Sequence, residues 1–157
     1  MDISNFAYCS RMRALIQRVT SASVHVDGEC VGKIDQLGIC ALIGVTHEDN
    51  TKHSEKLAEK IWNIRIFEDD NGVPNLSAAE KGLPILVVSQ FTLYGNTTKG
   101  RRPSWIEAAQ PDVAEPLINH LVETLQSFGA EVETGRFRTD MQVSLVNSGP
   151  FTLMLEA

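Results

Sequence analysis

Cysteine is scarce in this chain and badly placed for anything but packing. There are three, Cys9, Cys30 and Cys40, an odd number with no CxxC pair, which excludes a disulfide framework and a zinc site of the usual spacing. Reduced, structural thiols in a cytoplasmic protein are the expectation. Histidine is also sparse: His25, His47, His53 and His120 share no ligand-like spacing, and no HExxH occurs, so no metal site is expected. His47 and His53 flank a helix start and are expected to be solvated. Neither a P-loop nor GxGxxG is present, so no nucleotide cofactor, and no cofactor of any kind, is expected. GxSxG is missing too, which removes the strand–turn–helix setting in which an α/β-hydrolase holds its serine. No run of about 18 apolar residues exists, so no membrane span is expected. The amino terminus from Met1 to Arg11 lacks the basic and continuous apolar regions of a secretory signal. Positive charge is in deficit, 14 Lys and Arg against 20 Asp and Glu for a net −6. That balance argues against a protein that coats nucleic acid indiscriminately.

What is present suits one domain. The 157 residues, 43% hydrophobic and 22% charged, are enough to bury about two-thirds of the unfolded surface. Residues 1–11 are taken as an N-terminal extension and 12–157 as the domain. Met12 to Val19 alternates as a mostly buried strand, and Thr20 to Val26 continues it with Val24 and Val26 on one face. Asp27-Gly28 is a strong hairpin signal, Glu29 to Ile34 returns, and Ile39 to Val45 is apolar enough for a central strand. Four early β segments joined by short turns suggest an antiparallel meander. Glu48-Asp49-Asn50 then opens a helix in which Leu57, Ala58, Ile61 and Trp62 recur at helical spacing for roughly four turns. Asn63 to Phe67 reads as a short strand, Asp69-Asp70-Asn71-Gly72 as a turn, and Ser77 to Gly82 as a polar connection. Ser104 with Glu107 forms an S-x-x-E pattern that predicts a short capped helix. Pro111-Asp112 opens the longest helix, with Pro116 expected near its first turn and Gly129 at its C′ position. Glu131 to Glu133, Met141 to Val146 and Phe151 to Leu155 read as strands. The fold class expected is α+β.

The candidate site lies where the buried run Leu83 to Val88 changes without a turn into Ser89, Gln90 and Thr92. An apolar strand ending in small hydrogen-bonding groups holds a binding site on a rigid support; it is also how an ordinary strand reaches solvent. No side chain there titrates near neutral pH, and Thr92 could be a nucleophile only with a base beside it. Lys99, Arg101 and Arg102 place three positive charges within four residues. They read either as a solvated loop or as a phosphate contact supported by Thr97 and Thr98. Arg18 sits in an otherwise apolar strand and needs a partner if buried. Gly149-Pro150 reads as a turn between strands; X-Pro bonds are cis in only roughly 5–6% of cases. Alternatively the dipeptide aims backbone carbonyls at a ligand, since glycine permits close approach.

Two of these stretches together resemble the D-aminoacyl-tRNA deacylases, enzymes that hydrolyse D-amino acids from mischarged tRNA. Ser89-Gln90-Phe91-Thr92-Leu93 resembles the family's SQFTL motif, and Asn147-Ser148-Gly149-Pro150-Phe151-Thr152 its NxGP(V/F)T motif. The likeness runs from Met12–Val19 through Lys99–Ser104 to Glu133–Phe137, essentially the whole chain after residue 11. The resemblance implies a homodimer with a curved, barrel-like, largely antiparallel sheet, a few flanking helices and two active sites at the interface. It implies that Ser89, Gln90, Phe91 and Thr92 form the catalytic stretch. It further implies that a cis Gly149-Pro150 reaches into the partner's pocket, held by Arg18, and leaves no room for an L side chain. Glycine would pass this filter, so glycyl-tRNA is an expected second substrate. With no base offered, the 2′-hydroxyl of the terminal adenosine would assist catalysis while N–H groups near Phe91 and Thr92 stabilise the oxyanion; Thr92 as nucleophile is the other route. Lys99, Arg101 and Arg102 would contact the tRNA. A related subtype that tolerates L-alanine differs in both motifs. A non-catalytic nucleic-acid-binding module using Lys99 to Arg102 is the competing reading, against which the acidic total weighs.

Overall fold

The structure, a computed structural model, describes residues 11–157. The expected extension, and Cys9 with it, lies outside the described residues except for Arg11. The first fourteen residues after Met12 form one continuous element. β1 (Arg13–Val26) alternates buried and half-exposed positions along its length, burying Ala14, Ile16 and Arg18 and then Ala22, Val24 and Val26. The two segments expected there are a single bent strand, because the irregularity between Val19 and Ser21 bends the ladder without breaking it.

Asp27 and Gly28, with φ of 49° and 80°, make the turn expected of Asp-Gly, in which both central residues need positive φ. β2 (Glu29–Ile34) returns antiparallel along the carboxyl half of β1, and β3 (Gly38–Gly44) along its amino half. The meander is therefore corrected: β3 pairs with β1 rather than with β2. β3 continues into β6 (Ile85–Ser89) and β7 (Val132–Thr134) by parallel pairing. β8 (Gln142–Glu156) runs antiparallel along the remaining edge of β1. The sheet is mixed, with antiparallel pairs in the majority.

Two clusters explain why β3 and β6 are apolar on both faces. Ile39, Ala41, Ile43, Ile85 and Val87 face α1 (Thr51–Asn63) and α3 (Pro111–Ser127), while Cys40, Leu86 and Val88 face Val19, Ala22, Val24 and Ile34 inside the curl. The curl closes where β2 meets β7. A Cβ on Gly32 would lie 2.2 Å from the Thr134 carbonyl oxygen, so only glycine lets the strands come so close. Cys40 belongs to this interior. Burial pushes its thiol up to about 11, so the folded state keeps it protonated where an unfolded thiol ionises. Its contribution to stability is present below pH ~9 and is lost as pH rises toward 11. In the native chain at pH 8, iodoacetamide should label exposed Cys30 and leave Cys40 unmodified, as peptide mapping would record.

Local chemistry set several boundaries. Asn50 caps α1 by accepting from Lys52 and His53, while His53 Nδ1 accepts the Asn50 N–H at 3.1 Å. His53 thus completes a capping box rather than simply being solvated. The helix runs on through Asn63, so the strand expected from that residue shrinks to β4 (Phe67–Glu68), paired with β5 (Pro74–Leu76) across the expected turn. The polar connection Ser77 to Gly82 contains a single-turn helix, α2 (Ala78–Lys81). Its Ser77–Glu80 capping box lowers the Glu80 carboxyl below its usual range through the Ser77 N–H and hydroxyl. The same pattern at Ser104 and Glu107 makes no helix. Ser104 instead exchanges two 2.8 Å main-chain bonds with Asn96, and only Ala108, Ala109 and Gln110 follow before Pro111. α3 begins at Pro111 as expected, carries Pro116 in its interior, and ends in a Schellman arrangement. There Ala130 N–H donates to Leu125 O, and Gly129, at φ 97°, donates to Gln126 O.

Candidate active site

β6 delivers Ser89 to the wall of a cleft of about 670 Å³. Gln90 N–H bonds Ile43 O at 2.7 Å, tying the end of β6 to β3, and the chain then tightens into a 3-10 turn over Phe91–Tyr94. Beneath that turn the Arg13 guanidinium lies 4.3 Å over the Tyr94 ring and donates to Leu93 O at 3.1 Å. The turn is thus clamped to β1. Ser89, Gln90 and Phe91 line the cleft together with Ala114 and Ile118 of α3 and the segment Phe137 to Met141. Thr92 does not line it; its hydroxyl is held by the Gln90 side-chain amide. The wall is therefore apolar and amide-like, with Arg138 and Asp140 as its titratable side chains. Sequence reasoning missed Phe137 to Met141, because nothing local distinguishes that loop; Arg138, in the left-handed region at φ 58°, betrays itself only in the backbone.

Trp105, Ala108, Ala109 and Gln110, from the segment that leads into α3, also line the cleft. That segment is latched to the loop after β3: Thr46 hydroxyl donates to Glu107 O at 2.6 Å, His47 Nε2 lies 2.5 Å from Ile106 O, and Ala109 N–H donates to Val45 O. His47, expected to be solvated, holds this segment. The basic loop is closed at its base by the Asn96–Ser104 pairing, and Asn96 Oδ1 accepts from both the N–H and the hydroxyl of Thr98. Lys99, Arg101 and Arg102 are all exposed on it.

The second motif is a bulge within β8, not a turn between two strands. Gln17 pairs with Thr152 and Val19 with Asn147, so Ser148 to Phe151 stand opposite Arg18 alone. Asn147 Nδ2 clips the base of the bulge, donating to Arg18 O at 3.0 Å and Phe151 O at 3.1 Å. The Gly149–Pro150 bond is cis. Arg18, 7% exposed, spreads its fork over three carbonyls: Nε to Ser148 O at 3.1 Å, NH2 to Gly149 O at 3.1 Å and NH1 to Ile66 O at 2.8 Å. Its plane lies 4.6 Å from the Phe151 ring. This is the partner that burial of Arg18 demands, and it is main chain throughout.

The two motifs do not meet within one chain. Ser89 is level with Ile43 and Ala14, whereas Arg18 is level with Ile39 and Ile85, four residues or roughly 13 Å along the strands. None of Arg18, Gly149 and Pro150 lines the cleft. Among the described residues no group of three or more His, Cys, Asp or Glu could hold a metal ion, and no helix is long and apolar enough to cross a membrane.

This geometry defines a class: a barrel-like α+β domain with a cleft at the end of β6 lined mainly by apolar, hydroxyl and amide side chains. The family model described as D-Tyr-tRNA(Tyr) deacylase matches residues 15–156. The D-aminoacyl-tRNA deacylase of Streptomyces coelicolor is 53% identical over 145 residues, covering 92% of this chain and 99% of that protein. The one from Mycolicibacterium gilvum is 56% identical over 147 residues with the same coverage. A solved structure titled c-Myc DNA Unwinding Element Binding Protein superposes with a TM-score of 0.86 at 40% identity, covering 92% of this chain and 98% of that one. One titled as a probable eukaryotic D-amino acid tRNA deacylase gives 0.82 at 17% identity, covering 94% and 100%, a likeness of fold. The chain belongs to the D-aminoacyl-tRNA deacylase family and is a hydrolase of that type.

Proposed function

We propose that this protein cleaves the ester of D-aminoacyl-tRNA in the cytoplasm, working as a homodimer in which each bulge completes the partner's cleft. The observation that carries the reading is the Arg18-held bulge, which projects main-chain atoms from the edge of β8 while leaving the cleft of its own chain unlined by them. Among the described residues the outer edge of β8 has no strand partner, and Val146, Leu153 and Met154 stand exposed along it. A long unpaired edge with apolar side chains favours pairing with another chain.

The selectivity follows from shape. Gly149 and Pro150 carbonyls from the partner would face the Cα of the bound amino acid, and a carbonyl has a second lone pair beyond the one Arg18 engages. An L side chain would collide with them, a D side chain would point away, and glycine would enter unopposed, so glycyl-tRNA(Ala) is a second substrate. The 2′-hydroxyl of the terminal adenosine orients the attacking water and relays its proton, accepting it as its own hydroxyl proton moves on toward the 3′ oxygen, while the water oxygen adds to the ester carbonyl carbon. N–H groups of Phe91 and Thr92 open the 3-10 turn with no acceptor inside it, and hold the oxyanion. The bond from carbonyl carbon to the 3′ oxygen then breaks, and the proton passes to that oxygen. Lys99, Arg101 and Arg102 grip the acceptor phosphates.

Hydrolysis of D-tyrosyl-, L-tyrosyl- and glycyl-tRNA(Ala) by the purified protein is the deciding assay. D-tyrosyl and glycyl esters should be cleaved and the L ester spared; equal rates on D and L would remove the reading. Because the Thr92 hydroxyl is taken up by the Gln90 side-chain amide and alanine keeps the main-chain N–H, Thr92→Ala should retain turnover within about tenfold of the parent, judged against the 10²–10⁴-fold contribution of a proton-transfer group. Loss of activity with fold and tRNA binding intact would make Thr92 the nucleophile. A second reading, a nucleic-acid-binding module without catalysis, draws on the DNA-binding title of the 40%-identical structure. The same assay separates the two.

A further inference from the structure

Trp105 and Phe91 both line the cleft, yet they remain 44% and 57% exposed. Their rings meet edge to face, centroids 5.5 Å apart at 70°. The indole is fixed from behind: a Cβ on Gly95 would fall 2.5 Å from its Cζ3, so the ring rests directly on glycine backbone. Its main chain is pinned on both sides. Ser104 exchanges two bonds with Asn96, Ala108 N–H donates to Trp105 O, and the following carbonyls of Ile106 and Glu107 are held by His47 and Thr46. A large aromatic ring held rigid and left open is a platform, because stacking on it orders little that is not already ordered.

The platform's neighbour identifies what it takes. Asn96 and Ser104, the residues that close the basic loop, lead directly into Trp105. The loop's Lys99, Arg101 and Arg102 form no ion pair or side-chain hydrogen bond among the described residues, in a chain whose net charge is −6. Free cations beside an open aromatic face are the two parts of a single-stranded nucleic-acid site: the cations follow the backbone and the ring takes a base irrespective of its identity. Arg138 supplies a further positive charge on the cleft wall.

We propose that Trp105 is the stacking platform for a base in the single-stranded 3′ end of the RNA substrate, with Lys99, Arg101 and Arg102 on the adjoining phosphates. This rests on the reading of aminoacyl-tRNA as the substrate and names the subsite that positions its end. The ring at the mouth holds the nucleotide, and the ester carbonyl enters the cleft beside Ser89 and Phe91.

The chain has two tryptophans, and Trp62 is buried at 8% exposure, so emission that responds to a base comes from Trp105. Titration with an uncharged RNA minihelix ending in CCA should quench that emission, and the same minihelix trimmed of CCA should not. Trp105→Phe keeps a ring and should hold KM for D-tyrosyl-tRNA near the parent value. Trp105→Leu fills the space without an aromatic face and should raise KM about tenfold with kcat nearly unchanged. Emission indifferent to the CCA end, or an unaltered KM in Trp105→Leu, overturns the proposal. So does emission that follows protein concentration instead of RNA, which would mean that a second copy covers the ring. If the parent protein cleaves no D-tyrosyl-tRNA, the deacylase reading falls, while the CCA-dependent quench still decides the stacking site.

Discussion

Gly149→Ala should fold as the parent chain does and lose at least a hundredfold in kcat/KM on D-aminoacyl-tRNA, about 2.7 kcal/mol of transition-state binding. Within the chain nothing opposes the methyl group. The nearest atom to an added Cβ is Asn147 Oδ1 at 3.9 Å, ordinary contact, and Gly149 is not in the left-handed region. Replacing glycine by alanine at such a position costs nothing in the fold and stiffens the unfolded chain, a gain of about 0.4–1 kcal/mol. The melting temperature should therefore hold or rise slightly. In the assembly proposed above, that same empty space is where the partner's substrate sits, and a methyl there takes volume from the amino acid's Cα. An inactive enzyme with an undisturbed melting curve is the expected pair of results. Full activity in the variant would place Gly149 away from every substrate and leave chiral rejection without a wall.

Gly32→Ala is the opposite case, with its effect on the fold. Its Cβ would stand 2.2 Å from the Thr134 carbonyl oxygen and 3.0 Å from the carbonyl carbon, both backbone. β7 cannot yield, because Ile85, Leu86 and Val87 of β6 pair with Val132, Glu133 and Thr134. β2 cannot yield either without disturbing its ladder to β1 and the interior of Val24, Ile34 and Leu86. The seam must open by more than an ångström, at a cost of about 3 kcal/mol, or roughly 6–12 °C in melting temperature for a domain of this size. Thr134 leads into the Phe137 to Met141 wall of the cleft, so activity should fail at a correspondingly lower temperature. Urea unfolding at constant slope would check the stability loss, and an unshifted midpoint would show that the seam is looser than its contacts say.

The difference between these two glycines could not be read in the chain. Gly32 stands in a strand-like run and Gly149 in a turn-like one, and neither setting tells what a methyl group would meet: the Thr134 carbonyl for Gly32, and no atom closer than 3.9 Å for Gly149. The S-x-x-E patterns are a second example. Ser77 and Glu80 cap a helix, whereas Ser104 and Glu107 are taken by Asn96 and Thr46, because a tertiary latch outweighs a cap that has no helix after it. The motif residues have definite places in the structure. Ser89, Gln90 and Phe91 do line the cleft, Arg18 does hold Gly149, and Asn147 and Thr152 have defined partners in the bulge.

Whatever depended on neighbours within a few residues was determined by the sequence alone. That covers the Asp27-Gly28 turn, the length and end of α3, the apolar strands β3 and β6, and the polar stretch that follows β6, since caps, turns and periodicity act over one or two turns of chain. Tertiary structure alone decided that β1 is one bent strand flanked by β2 and β3, that Asn147 to Phe151 is a bulge and not a turn, and that Thr92 does not line the cleft. It also set Trp105 beside Phe91. The pairing of β1 with β3 and the bulge opposite Arg18 rest on contacts between residues tens of positions apart, where backbone pairing and packing outweigh local preference.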